Sequence, residues 1–173
     1  MMFIMAKISL ISIMAVAVSA LSVARRDIAL TDEPKNVLGA TLQTCSKPGM
    51  ALTGFTRDGH CQDQGDDDAG SHHICIQMKS DFCTVTGQPD WCSEDMECMG
   101  SSGMCPIGNW CVCQWAFSSY IQSAGGCDAI VDLVCDATNK AAARAYEASS
   151  DPHHKEALAC IKKKCSLSFL RHE

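Results

Sequence analysis

No Asn-X-Ser/Thr triplet occurs in the 173 residues, so N-glycosylation gives no indication of compartment. No internal repeat is present, which excludes solenoid and propeller architectures. A basic face is missing too: 14 Lys and Arg against 20 Asp and Glu give a formal net charge of −6, which disfavours nucleic acid as a partner. The one basic run, Lys162-Lys163-Lys164, is short and reads as the solvated end of a helix. After residue 24 no apolar stretch is long enough to span a bilayer, so no membrane span remains once the leading segment is removed. Asp63, Asp66, Asp67 and Asp68 lack the Asp-X-Asp-X-Asp-Gly spacing and distal Glu of a calcium loop, and read as a solvated acidic turn. No catalytic set stands out, and no ligand or partner is specified.

Cysteine is abundant by contrast, at 13 residues. Residues 1–24, MMFIMAKISLISIMAVAVSALSVA, carry one positive charge at Lys7, then an apolar run, then small residues that fit a signal-peptidase site after Ala20 or Ala24. The competing reading is an uncleaved anchor, disfavoured by four serines and the tandem small-residue sites. Cleavage removes Lys7 alone among the charges and takes the net charge from −6 to −7. The expected location is therefore outside the cell or in the lumen of the secretory pathway, where thiols are oxidised and normally paired. Thirteen is odd, so at least one thiol stays free, pairs between chains or binds something else.

Residues 25–35 are charged and aperiodic and read as a flexible tether; residues 36–173 read as a single disulfide-stapled domain. From 41 to 75 the text is turn-rich, with strand-sized runs at Leu52 to Thr56 and His73 to Met78 and a hairpin turn expected at Asp58-Gly59. The second run puts Ile74, Ile76 and Met78 on one face and His73, Cys75 and Gln77 on the other. Residues 83–108 have no usable period and need pinning by Cys83, Cys92, Cys98 and Cys105. Asn109 resembles a helix cap, and Trp110, Cys113, Phe117, Ile121 and Ala124 form an apolar stripe that predicts a helix over 110–124 ending at Gly125-Gly126. A further helix is expected after Asn139. A last one is capped by Asp151 with Pro152 at its first position, and His153-His154 lies exposed in its first turn. Strands and hairpins first and helices later make the expected fold a small, disulfide-rich α+β domain.

Six motifs in this order, NVLG at 36–39, CS at 45, LTGFTRDGHC at 52–61, GSHHIC at 70–75, GNWCVC at 108–113 and CDAT at 135–138, resemble the domain-of-unknown-function family 2237 over about 110 residues. The resemblance implies a compact α+β domain without an established reaction. It also sorts the cysteines. Cys45, Cys61, Cys75, Cys111 and Cys113 fall in motifs shared with family members that look cytosolic. Cys83, Cys92, Cys98, Cys105, Cys127, Cys135, Cys160 and Cys165 lie outside that set, are even in number, and would form four added disulfides. Cys160 and Cys165, about 140° apart on a helix, should pair elsewhere rather than together. Arginines that the family usually carries beside the paired thiols are absent here, where Gly108-Asn109-Trp110 and Gln114-Trp115 stand instead, which counts against an anion site.

The leading expectation is a domain that acts by binding or structure. The alternative is a thiol-redox or zinc-binding protein centred on Cys61, His72, Cys75, Cys111 and Cys113, since zinc takes thiolate and imidazole in a tetrahedron. In a strand Cys111 and Cys113 share a face; in a helix they stand about 200° apart and do not hold one ion. The helical reading instead makes Cys111, in a first turn near unpaired amides, a candidate reactive thiol, with Cys113 the second candidate and His72 a base if the fold brings it close. The thiol left unpaired is expected to be Cys111 or Cys113.

Overall fold

A computed structural model describes residues 33–79, 81–130 and 132–167; the expected signal peptide (1–24) and the expected tether as far as residue 32 lie outside the described residues. Two short strands sit at the centre. Strand β1 (Ile74–Gln77) pairs antiparallel with β4 (Asn109–Val112), in the register Ile74↔Val112, Cys75↔Cys111, Ile76↔Trp110. Alternation sorts the side chains onto two faces. Ile74, Ile76, Trp110 and Val112 enter the main hydrophobic core, whereas Cys75 and Cys111 turn to a smaller core with Cys45, Cys61 and Ala137. The alternation expected at 73–78 is thus the alternation found.

The run Leu52 to Thr56 does not become a strand. Gly54 adopts φ +95°, and a Cβ there would lie 2.5 Å from the carbonyl oxygen of His60, so the chain folds back on itself instead of extending. The Gly59 amide donates to the Thr53 carbonyl at 2.9 Å, closing a loop at Asp58-Gly59 rather than a strand hairpin. A hairpin forms elsewhere, in the aperiodic stretch: β2 (Asp95–Glu97) pairs with β3 (Met104–Pro106). The Cys98–Cys105 disulfide closes it, and Cys83–Cys92 ties helix α1 (Asp81–Thr86) to a 3-10 turn at Trp91–Ser93.

The next helix starts later than the stripe predicts. Trp110 to Val112 belong to β4, and α2 runs Gln114–Ala124 with Cys113 at its N-cap. All four β4 residues are buried, so the strand shows no alternation, and Trp110 falls by coincidence three residues before Cys113. Asn109 caps nothing; its amide donates to the Cys45 carbonyl at 3.0 Å. Helix α3 (Lys140–Ala148) is capped by Asn139, which accepts from the Ala141 amide at 2.9 Å. Helix α4 (Pro152–Lys164) is capped by Asp151, which accepts from the His153 amide at 2.8 Å, with Pro152 opening the helix as expected. Of the histidine pair, His154 is drawn in: its ring lies 5.0 Å from Trp115 and 5.6 Å from Tyr146.

Phe117, Tyr120 and Ile121 of α2, Tyr146 of α3 and Leu158 and Ile161 of α4 fill the core between the helices and the strand pair. Cys127–Cys160 and Cys135–Cys165 fasten the segment after α2 to α4, so Cys160 and Cys165 do pair in different directions. Short antiparallel strands in the first part, helices in the second and six disulfides make this the α+β, disulfide-rich fold that the order of elements predicts. No helix among the described residues is long and apolar enough to cross a membrane.

Disulfides act largely by restricting the unfolded chain, more so for longer loops. Cys127–Cys160 closes 33 residues and Cys98–Cys105 closes 7. Replacing the first pair by alanine should cost about 3–4 kcal/mol in urea unfolding, and the second about 2 kcal/mol.

Candidate thiol site

The five cysteines of the shared motifs divide into two disulfides and one thiol. Cys45–Cys75 and Cys61–Cys111 lie side by side, every partner at most 1% exposed, and the sulfurs of Cys45, Cys61 and Cys75 all fall within 4.8 Å of one another. Backbone groups around them are satisfied by side chains of the neighbouring motifs. Asn139 donates to the Cys61 carbonyl at 3.0 Å, Thr53 accepts from the Cys111 amide at 2.9 Å, and the Thr138 hydroxyl accepts from the Cys75 amide at 3.2 Å. This arrangement corrects two expectations. Cys61, Cys75 and Cys111 have no thiolate to offer zinc, because each sulfur is already bonded to another sulfur, and His72 and Cys113 alone make no tetrahedral set. Cys111 is not a reactive thiol either: it is paired, buried, and on a strand rather than in a first helical turn.

Cys113 is the free cysteine among the described residues and is half-buried. It stands where β4 turns into α2. Its carbonyl accepts from the Phe117 amide at 2.9 Å, the first bond of the helix, and its thiol makes no capping bond. The next residue is locked from three directions. The Gln114 amide donates to the Ser71 carbonyl at 3.1 Å, its side-chain oxygen meets His73 Nδ1 at 3.0 Å, and its carbonyl accepts from the Tyr146 hydroxyl. Burial, and then the nearby charge of a Cys113 thiolate, push the Tyr146 phenol far above its ordinary pKa, so it stays a neutral donor.

The turn before β1 supplies an imidazole held on a carboxylate. Asp68 is 1% exposed, and its carboxylate accepts from the Gly70 amide at 3.1 Å, the His72 amide at 2.7 Å and His72 Nδ1 at 2.7 Å. Burial alone raises the Asp68 pKa, but the His72 amide, the His72 imidazole and the charges of His72 and then His73 outweigh it and hold the carboxyl below its ordinary range. With Nδ1 engaged by a buried carboxylate, the His72 ring is held in one orientation with Nε2 left for another partner. Gly70 makes room for this: a Cβ there would sit 2.5 Å from His72 Cε1. Asp68 therefore leaves the solvated acidic turn to which the sequence reading assigned it. Asp63 remains half-exposed, 3.5 Å from His73 Nε2 without hydrogen-bonding it.

His72 and Cys113 line one narrow cleft of about 60 Å³, walled by Phe82, Trp91, Trp110 and Gln88. A second cleft of about 300 Å³ is lined by His72 together with Thr53, Gly54, Phe55, Arg57 and Trp110. The two share His72, Trp110 and Cys111. A larger groove of about 500 Å³ along α4 holds Lys155, Lys162 and Lys163 over an apolar floor of Leu158 and Leu167, far in composition from this chemistry. Sequence reasoning named His72 and Cys113 and missed Asp68. The legible signal was Asp-X-Gly-X-His, a carboxylate and an imidazole four residues apart with a glycine between them.

Because the Asp68 carboxyl is held low in the fold and titrates near 3.9 in the unfolded chain, its stabilisation is present above that value and is lost as pH falls through the folded value. Asp68→Asn should therefore be less stable than the native protein at pH 6 by about 1–3 kcal/mol, with the gap closing as pH is lowered from 5 towards 2 in chemical denaturation. No curated protein matches the chain. The family described as "Uncharacterized protein conserved in bacteria (DUF2237)" matches residues 35–151, which covers every motif and both clefts, and the chain belongs to that family.

Proposed function

We propose that the domain carries a nucleophilic thiol: Cys113 attacks an electrophilic partner while His72, held by Asp68, takes its proton. The observation that carries this reading is the cleft shared by the one free cysteine of the described residues and an imidazole whose far nitrogen is anchored on a buried carboxylate. In the step, the Cys113 S–H proton moves to His72 Nε2, sulfur bonds to the electrophilic atom, and the leaving group departs with its electron pair. The disulfides hold both sides of the cleft. Cys61–Cys111 fixes the strand that leads into Cys113, and Cys45–Cys75 fixes the strand that follows His72. A protein that acts only by binding or structure would need neither the proton acceptor nor its carboxylate.

The same proposal places the protein in the secretory pathway or outside the cell, with residues 1–24 removed, 25–35 a tether and 36–173 the stapled domain. Six disulfides belong to an oxidising compartment, which supports that placement. Secreted material should begin at Leu21 or Arg25 on N-terminal sequencing; a chain beginning at Met1 in the oxidised, folded protein would overturn export.

Alkylation without reductant tests the chemistry. Iodoacetamide at pH 7 should label Cys113 alone, and His72→Ala should slow the reaction at least tenfold, with Asp68→Asn slowing it by a smaller factor. Equal rates in native and His72→Ala protein, both matching free cysteine, would leave the binding or structural reading in place.

A further inference from the structure

The second cleft holds a cation that nothing described so far uses. Arg57 sits in the left-handed region with φ +55°, a conformation side-chain-bearing residues seldom adopt, and this turn carries its guanidinium over the Trp110 ring, 4.9 Å from the centroid. Among the described residues it forms no ion pair. The carboxylate beside it in sequence is occupied elsewhere: Asp58 accepts from the His60 amide at 2.9 Å and from the Gln62 side chain at 2.9 Å. The result is a guanidinium over a buried indole, without an ion pair among the described residues, in a chain of net charge −6.

Around it the cleft is aromatic. Phe55, 48% exposed, stacks on His72 at 6.4 Å between centroids, and Trp110 forms the floor. A planar, bidentate donor on one aromatic ring, in a cleft that a second aromatic side chain also lines, is suited to a carboxylate attached to an apolar body. Gly54 keeps the loop tight beneath, with its φ of +95° and no space for a side chain. The linings of this cleft and of the Cys113 cleft share His72, Trp110 and Cys111, so an anion held at Arg57 lies beside residues that also border the thiol cleft.

We infer that the Arg57 cleft is a subsite for the carboxylate of an organic acid and selects carboxylate-bearing electrophiles for Cys113. The inference rests on the reading of Cys113 as a nucleophile and adds the class of substrate. It also reverses the expectation that an anion site is lost with the arginines beside the paired thiols: Arg57 reaches the same neighbourhood from another loop.

Two reagents of nearly equal size separate the inference from the reading beneath it. Iodoacetate carries the carboxylate and iodoacetamide does not. In the native, disulfide-intact protein at pH 7 and low salt, the ratio of iodoacetate to iodoacetamide rates at Cys113 should exceed that of free cysteine by roughly tenfold, the scale of one partly screened charge pair. Added NaCl at 0.5 M should bring it down towards the free-cysteine value. Arg57→Gln should return the ratio of the two rates to that of free cysteine, the ratio cancelling any change in thiolate reactivity common to both reagents, and Arg57→Lys, which keeps the charge, should retain part of the excess. Should Arg57→Gln fail to fold, the salt dependence and Arg57→Lys carry the test. A native ratio equal to that of free cysteine, with iodoacetamide labelling still dependent on His72, overturns the carboxylate subsite and leaves the nucleophile standing. Absence of labelling by either reagent overturns the nucleophile itself.

Discussion

Two adjacent disulfides across one pair of short strands organise this molecule. β1 and β4 have four residues each, and an isolated two-stranded ribbon of that length is not stable in water. Cys75 and Cys111 face each other in register, and each is bonded to a loop cysteine, Cys45 and Cys61, that brings its own turn against the same face. Four half-cystines at this junction replace the apolar side chains that a larger domain would use there. The opposite face of the ribbon is free to receive the helices, through Ile74, Ile76, Trp110 and Val112.

The polar side chains of the motifs follow from that junction. Loops gathered around buried sulfurs bring buried amides and carbonyls with them, and each unpaired one would cost on the order of 1–3 kcal/mol. Asn109, Asn139, Thr53 and Thr138 satisfy those at Cys45, Cys61, Cys111 and Cys75. Asn36 does the same for its own turn: its oxygen accepts from the Leu38 and Ala40 amides, and its nitrogen reaches the Asp136 carbonyl at 2.9 Å. Asn36, Thr53, Asn109, Thr138 and Asn139 are thus the hydrogen-bonding shell of a disulfide core.

The thiol and imidazole of the proposed reaction lie at the edge of the same ribbon. Where β4 becomes α2 the thiol of Cys113 is left over, and where the acidic turn enters β1 the imidazole of His72 is set on Asp68. Burying a carboxylate is tolerated because three donors converge on it. The remaining four disulfides tie down the hairpin, α1 and α4 without lining the two clefts.

Local chemistry was readable from the chain. The period-2 run at 73–78, the Asp151-Pro152 start of α4 and the Asn139 cap of α3 are properties of neighbouring residues, and the odd number of cysteines is a matter of counting, whereas their division into eight and five came from the family resemblance. What depends on distant partners was not. Trp110 to Val112 carry an apolar stripe that fits a helix, and only pairing with β1 and the bond to Cys61 make them a strand. Asp68 looks like one of four solvated acids until the fold buries it under His72. Arg57 looks like a turn residue until Trp110 arrives beneath it from 53 positions away. Pattern and spacing determine the elements whose signals are local, and an odd count requires at least one sulfur outside the intrachain pairs; which sulfur is spared, which carboxylate is buried and which cation lacks an ion pair are decided by long-range packing, because burial and pairing are properties of the space around a residue and not of its neighbours in the chain.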